Sequence, residues 1–308
     1  MGQTYLRFLA FVEEQYFQES ASTQPLISEI LPPTISLKSV NLLMTFFKSI
    51  SFVALLTVLS HTYVSAQNRH YHHNVFWGRL VLADTINSKI KWEVWLQQRT
   101  QNAYGESSPF KAPQFSTIWT WITYSVNKDL RVAVTPFSYF NTWTLYTKPS
   151  DIGTDPVKEY RWVVRLEDQH RLKYFNFINR FALEYRLRDL TSKNVYVTNY
   201  RFRYMARFEK AIQASWMPRP VTWIVNDEVM FQFGKAVENN AGLFDQNRIY
   251  MGFQYEILRN IKLNVGYLYT IQQRPSGKEF DNINTLWAIV TFDNLFSQFM
   301  HKKKLPAY

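Results

Sequence analysis

The chain has 308 residues, of which 46% are hydrophobic and 17% aromatic, and its formal net charge is +11. It contains no cysteine, which excludes disulfides, thiolate zinc sites and lipid attachment through cysteine. A basic chain suits nucleic acid or an anionic surface. However, the arginines alternate along strand-like runs and do not cluster in a tail or on one helix. This distribution argues against nucleic acid as the binding partner, and so does the export signal over residues 44–66.

The first recognisable element is an export signal over residues 44–66, which read MTFFKSISFVALLTVLSHTYVSA. Lys48 supplies a positive n-region, and 50–59 is an apolar stretch too short to span a bilayer. Residues 64–66 form a small-residue cleavage site, so cleavage after Ala66 gives a mature start at Gln67.

Residues 1–43 match no targeting pattern, and we interpret them as a misassigned extension with Met44 as the true start. Removing residues 1–66 takes away three basic and four acidic residues, so the net charge rises from +11 to +12. The predicted organisation is an extension over 1–43, a signal peptide over 44–66 and one barrel domain over 67–308.

The rest of the chain is a series of long runs with alternating polarity. In 174–190, which read YFNFINRFALEYRLRDL, apolar side chains alternate with charged ones. The alternating part of this run is about 12 residues long, whereas an ordinary globular strand has about 5–6 residues. The predicted strands are 74–82, 90–101, 115–126, 130–143, 159–171, 176–188, 196–209, 222–234, 246–257, 261–274 and 282–293.

The connections support a transmembrane β-barrel. Short connections, such as 127–129 and 259–260, alternate with long ones, as short periplasmic turns alternate with long outer loops. Eleven runs conflict with the even strand number usual in such barrels, and the mature N-terminus is expected in the periplasm. The fold class predicted is all-β, an antiparallel up-and-down barrel of about 12 strands. The alternative is 10 strands, with 74–82 as a periplasmic or plug segment.

Three strands, 159–171, 196–209 and 246–257, can be oriented. A charge on the lipid-facing side costs about 2–4 kcal/mol near the midplane, so their charged sides are expected to face the lumen. The strands 115–126 and 282–293 are apolar on both faces and have no predicted orientation.

Several motifs together carry a family resemblance: KWEVWLQQR at 91–99, NRFALEYRLR at 179–188, RFRYMARFE at 201–209 and FDQNRIY at 244–250. In their order and spacing the chain resembles domain-of-unknown-function family 2490, uncharacterised outer-membrane β-barrel proteins of Bacteroidota, from about residue 76 to 292. The resemblance implies a barrel in the outer membrane of a Gram-negative cell, and it implies no catalytic residues.

The candidate site is the charged inner face of the predicted barrel. Arginine pairs with carboxylates through a planar fork, so one interpretation is a salt-bridge network that fills the barrel and fixes its register. In the other interpretation, the excess of arginine leaves guanidinium groups that bind or pass small anionic solutes. The candidate residues are Arg161, Arg165, Glu167, Arg180, Glu184, Arg186, Arg188, Arg201, Arg203, Arg207, Glu209, Glu228 and Arg248.

Other functions stay open at this point. A lipid-modifying hydrolase needs a nucleophile beside a histidine base, for which Ser138 and His170 are the available pair. A structural or adhesive barrel would act through the loops 102–114, 144–158 and 235–245. A soluble periplasmic or secreted β-protein is a further alternative.

The expected protein is not an enzyme and has no catalytic residues. His70, His72 and His73 could bind a transition metal, but a flexible solvated segment is the preferred interpretation, so no metal site and no cofactor are predicted. The expected partners are outer-membrane lipid and a small anionic solute.

Overall fold

The computed structural model describes residues 68–213 and 215–300. The predicted signal peptide and the extension over 1–43 lie outside the described residues, and both stay predictions. The strands are β1 (Arg69–Thr85), β2 (Ile90–Gln101), β3 (Ala112–Ser125), β4 (Leu130–Val134), β5 (Ser138–Thr142), β6 (Val157–Arg171), β7 (Asn176–Asp189), β8 (Tyr196–Ile212), β9 (Val221–Phe233), β10 (Phe244–Leu258), β11 (Ile261–Gln273) and β12 (Glu279–Phe292). Among the described residues, the longest helix is α1 (Ser297–Met300).

The strands form one closed sheet. Consecutive strands pair antiparallel, except that β4 and β5 share one position, both of them pairing with β3 and with β6. Pro136 lies between these two strands, where its missing N–H interrupts the ladder. β1 closes the barrel by pairing antiparallel with β2 and parallel with β12. Twelve strands therefore fill eleven positions around the barrel.

The predicted fold class is confirmed, including the count of about twelve strands, and each of the eleven predicted runs overlaps a strand or the β4–β5 pair. The ten-strand alternative is wrong, because 74–82 lies within β1 and pairs on both sides. The strictly up-and-down antiparallel arrangement fails at one place, the parallel β1–β12 seam. An odd number of positions makes the first and last strands run in the same direction.

Connections of different length lie at opposite ends of the barrel. The loops after β2, β5, β7, β9 and β11 lie at one end, here called the loop end. The other connections lie at the turn end, except the link between β4 and β5, which lies partway along their shared position. β1 begins at the loop end, since Arg69 pairs with Glu279 just after the β11–β12 loop. The described chain therefore begins at the loop end, and not at the turn end, which the loop-length argument assigned to the periplasm.

The two faces of the sheet have opposite polarity. On the outer face Val164 is 57% exposed and Met251 is 52% exposed, whereas the inward-facing Glu159 and Glu184 are buried. This confirms the orientation expected for the three assigned strands. Trp121 of β3, a strand without a predicted orientation, faces inward.

None of the helices among the described residues is long or apolar enough to cross a membrane.

Candidate functional site

The barrel interior holds a cavity of about 890 Å³. Its lining runs from Ser125, near the turn end, to Pro275 in the β11–β12 loop. Within the described residues, thirteen arginine and lysine side chains line the cavity against six aspartates and glutamates. The cavity wall is therefore strongly cationic.

Glu159 on β6 begins an ion-pair network across the cavity wall. Its carboxylate accepts from Arg161 Nε at 2.7 Å, and from Arg186 Nε and Nη2 at 2.8 and 2.7 Å. Arg188 Nε lies 3.6 Å from the same carboxylate. Alternation along β6 puts Glu159 and Arg161 on the same face, and register sets Arg161 opposite Arg186 on β7.

Glu184 is the centre of the network. Its carboxylate accepts from Arg201 and Arg203, both at 2.7 Å, and lies 3.4 Å from Arg161 Nη1. Glu184 is 0% exposed and lies directly opposite Arg201 in the β7–β8 register. One buried carboxylate thus joins guanidinium groups from β6 and β8.

The network continues onto β9 and β10. Arg203 donates to Glu228 at 2.6 Å, and Arg248 Nη1 lies 3.8 Å from the other oxygen of Glu228. Arg201 also reaches Asp245 at 3.1 Å. Five consecutive strands, β6 to β10, are therefore connected through alternating guanidinium and carboxylate groups.

A second group of ion pairs lies nearer the turn end. Arg180 donates to Glu167 at 2.7 Å, directly across the β6–β7 register, and Arg131 lies 3.5 Å from the same glutamate. Arg207 pairs with Glu209 two residues along β8 at 2.5 Å.

All thirteen candidate residues face the barrel interior. Twelve line the cavity, and Glu184 lies behind its arginine partners. Arg165 differs from the others, because among the described residues no carboxylate lies within ion-pairing distance of it, and its guanidinium lies 4.4 Å from the Trp121 ring.

Sequence reasoning missed an aromatic section of the wall on β1, β2, β3 and β12. Trp95 contacts Trp119 edge-on at 5.5 Å, and Trp77 contacts Trp287 at 5.1 Å. Arg79 and Arg99, on β1 and β2, were missed with it. KWEVWLQQR places Arg99 at even spacing from Trp95, a signal that could have set both on the inner face.

Contacts at both ends shape the cavity mouths. At the loop end, the buried Gln101 donates to the carbonyl of Thr144 at 2.9 Å and accepts from the amide of Tyr146, and this places Leu145 in an inner apolar cluster with Trp77. At the turn end, Lys91 and Lys262 bond Asp293 at 2.8 and 2.6 Å.

The two lysines change the acidity of Asp293. Partial burial by itself raises the pKa of this carboxyl, but the hydrogen bonds from Lys262 and Lys91 outweigh it, so that its pKa lies below the ordinary value.

The structure separates the proposed hydrolase pair. The Ser138 hydroxyl donates to the carbonyl of Arg161 on β6. His170 lies nine residues beyond Arg161 on the same strand and pairs with Asp168 at 2.8 Å. At about 3.3 Å per residue, roughly 30 Å separates the two side chains. Ser138 and His170 therefore cannot act together within one chain.

The histidine run belongs to β1, which corrects the expectation of a flexible segment. Alternation directs His73 inward, where Nε2 lies 2.9 Å from Asp281, while His70 on the other face stacks on Phe280 at 5.5 Å. Within the part of the chain that the structure describes, no group of three or more histidines and acidic residues is arranged to hold a metal ion.

The closed sheet and its lining define a β-barrel with a cationic interior. A family model described as protein of unknown function (DUF2490) matches residues 74–281, and the chain belongs to this family, as the motif resemblance predicted. The predicted bacterial group, Bacteroidota, stays a prediction.

Among solved structures, one titled "NanC porin structure in rhombohedral crystal form" is similar at 12% identity, over 69% of this chain and 92% of that one, with a TM-score of 0.39. No curated protein matches the chain.

Proposed function

We propose that this protein is a non-enzymatic β-barrel of the outer membrane whose lumen binds or passes small anionic solutes. The observation that carries the proposal is the imbalance of the lining, thirteen cationic side chains against six carboxylates. A narrow cavity walled by one sign of charge concentrates counter-ions of the other sign.

The location is inferred from the outer face of the barrel. Ile249, Met251 and Phe253 on β10 are each about half exposed. A soluble protein rarely presents so large a continuous apolar surface to water, and outward apolar bands characterise transmembrane barrels. The proposed partner of this surface is outer-membrane lipid.

The selectivity experiment uses the exported chain, residues 67–308, in a planar bilayer under a potassium chloride gradient. We expect single-channel currents whose reversal potential shows preference for chloride. Arg248→Gln should reduce that preference, because it neutralises a lining guanidinium whose paired carboxylate, that of Glu228, lies 3.8 Å away. The matched control is Arg171→Gln, an exposed turn-end arginine outside the lining, which should leave the preference unchanged.

Two results would contradict the proposal. Zero conductance for the pure protein, together with no anion binding in detergent, would eliminate an anion-accepting lumen and leave the salt-bridge filling as the role of the charges. Recovery of the protein in the soluble periplasmic fraction would eliminate the membrane location.

A further inference from the structure

The lumen contains two chemically different kinds of arginine. The paired kind, such as Arg186 and Arg201, hydrogen-bonds to carboxylates that cancel its charge. The stacked kind lies on aromatic rings instead, and it is represented by Arg79, Arg99 and Arg165. Among the described residues, no carboxylate lies within ion-pairing distance of a stacked arginine.

Arg99 is held between two aromatic side chains. Its guanidinium carbon lies 3.5 Å from the centre of the Trp77 ring and 3.9 Å from that of Phe115. Both neighbours face Arg99 directly in the register of β1–β2 and β2–β3. Arg99 Nε is buried and has no hydrogen-bond partner in the described chain.

Arg79 and Arg248 lie around the same tryptophans. Arg79 is 4.9 Å from the Trp287 ring, which contacts Trp77 at 5.1 Å, and Arg248 is 5.1 Å from Trp77 itself. The Arg79 guanidinium donates twice to the side-chain oxygen of Gln97, which orients it without cancelling its charge. Three guanidinium groups therefore surround one pair of tryptophans, here called the tryptophan-pair site.

Aromatic stacking fixes a guanidinium in place, but the net positive charge remains. A desolvated charge without a counter-charge is costly, so an entering anion gains more at such a group than at one already paired. The guanidinium edge presents two parallel N–H donors, which match the oxygens of a phosphate or carboxylate and not a spherical ion.

We propose that the tryptophan-pair site, formed by Arg79, Arg99 and Arg248 around Trp77 and Trp287, binds the phosphate or carboxylate group of a small solute. The site rests on the proposed function, since the solute must enter an anion-accepting lumen. Arg248 on β10 belongs both to the site and, through its 3.8 Å distance from Glu228, to the carboxylate-paired network. The rest of that network, on β6 to β9, holds the opposite wall and is not itself the ligand site.

The test is titration of the purified barrel in detergent with sodium phosphate, with acetate and chloride in parallel at constant ionic strength. Binding is followed by calorimetry and by tryptophan fluorescence, because Trp77 and Trp287 belong to the site. We expect phosphate or acetate to bind more tightly than chloride. Arg99→Gln and Arg79→Gln should each weaken that binding at least ten-fold.

The matched control is Arg165→Gln, which removes an equally uncompensated, ring-stacked cation near Trp121, outside the site. It should reduce chloride preference in the bilayer as the site variants do, yet change phosphate affinity less than two-fold. Arg99→Lys keeps the charge and provides a second variant if Arg99→Gln does not fold. It should retain chloride preference and still weaken phosphate binding, since it lacks the planar fork.

The outcomes separate the two proposals. Wild-type affinity in Arg99→Gln or Arg99→Lys, or no oxyanion preference over chloride in the wild type, would overturn the tryptophan-pair site even if the barrel is anion-selective. Site-dependent phosphate binding in a barrel without conductance would support the site and remove only the passage of solutes.

Discussion

At the residue scale, Glu184 shows how much the interior depends on a single carboxylate. It is fully buried, and the guanidinium groups of Arg161, Arg201 and Arg203 converge on its two oxygens. Removing one partner of a buried ion pair costs about 3–5 kcal/mol, because an uncompensated charge stays behind.

Glu184→Gln is therefore expected to lower the free energy of unfolding by at least about 3 kcal/mol. The measurement is urea unfolding of the detergent-solubilised barrel, followed by the heat-dependent shift in gel migration. Glu209→Gln is the control, since its pair with Arg207 is partly exposed and should contribute less than about 1 kcal/mol. Equal effects of the two substitutions would show that the network has no central carboxylate.

The inward arginines show which properties of the site follow from alternation along one strand and which do not. Alternation alone put Arg161, Arg180 and Arg201 on one face, and that assignment is correct. Alternation could not show which of these arginines are paired. Arg165 lies on the same face two residues from Glu167, yet Glu167 pairs with Arg180 on the neighbouring strand. Pairing depends on register between strands, which a single run does not contain.

At the element scale, β10 and β11 are fitted together by two glycines. Gly252 and Gly266 lie directly opposite each other, and the Tyr250 ring crosses them so that its hydroxyl donates to Asn264. A Cβ added to Gly266 would lie 2.5 Å from the Met251 carbonyl oxygen and 2.6 Å from a Tyr250 ring carbon. The close approach explains why this strand pair has glycine inside an element where glycine ordinarily weakens a strand.

Gly266→Ala is expected to destabilise the barrel by about 1–3 kcal/mol, because Tyr250 or the β10 backbone must shift. Unfolding in urea measures the change. Gly78→Ala is the matched control, since the nearest atom to its added Cβ, at 3.3 Å, belongs to the Phe76 ring, and that side chain can adjust. If Gly266→Ala is no more destabilising than Gly78→Ala, the Tyr250 ring does not require the glycine pair.

The orientation of β3, which the sequence did not predict, follows from packing. β3 carries apolar residues on both faces, and only packing decides which is inside. Trp119 and Trp121 pack against Trp95 and face the lumen, whereas Ile118 and Ile122 are exposed on the outer face. A lumen wall made of aromatic side chains removes the polarity difference on which the orientation argument depends.

At the scale of the whole molecule, the parallel β1–β12 seam decides the architecture. It pairs Arg69 with Glu279 and continues to Leu82 with Phe292. The ten-strand alternative treated 74–82 as a segment outside the barrel, whereas the barrel uses β1 to complete an odd set of positions.

The absence of natural cysteine allows a direct test of the seam. Asn74 and Asn284 are paired in the parallel register, so Asn74→Cys with Asn284→Cys should form a disulfide under mild oxidation, detected by gel mobility before and after reduction. Asn74→Cys with Ala288→Cys is the control, because Ala288 lies four residues and about 13 Å farther along β12. Crosslinking of the control pair instead would contradict this register.

The sequence by itself determined the strands and the polarity of the faces of the regularly alternating ones, because alternation is a local property with a period of two residues. Only the tertiary structure decided how β1 and β12 meet, how β4 and β5 share one position, and which arginines remain without a carboxylate. Those features depend on the register between strands and on the number of positions around the barrel. Arg99 illustrates the difference: its inward direction follows from its spacing along β2, but its place between Trp77 and Phe115 exists only once three strands are paired.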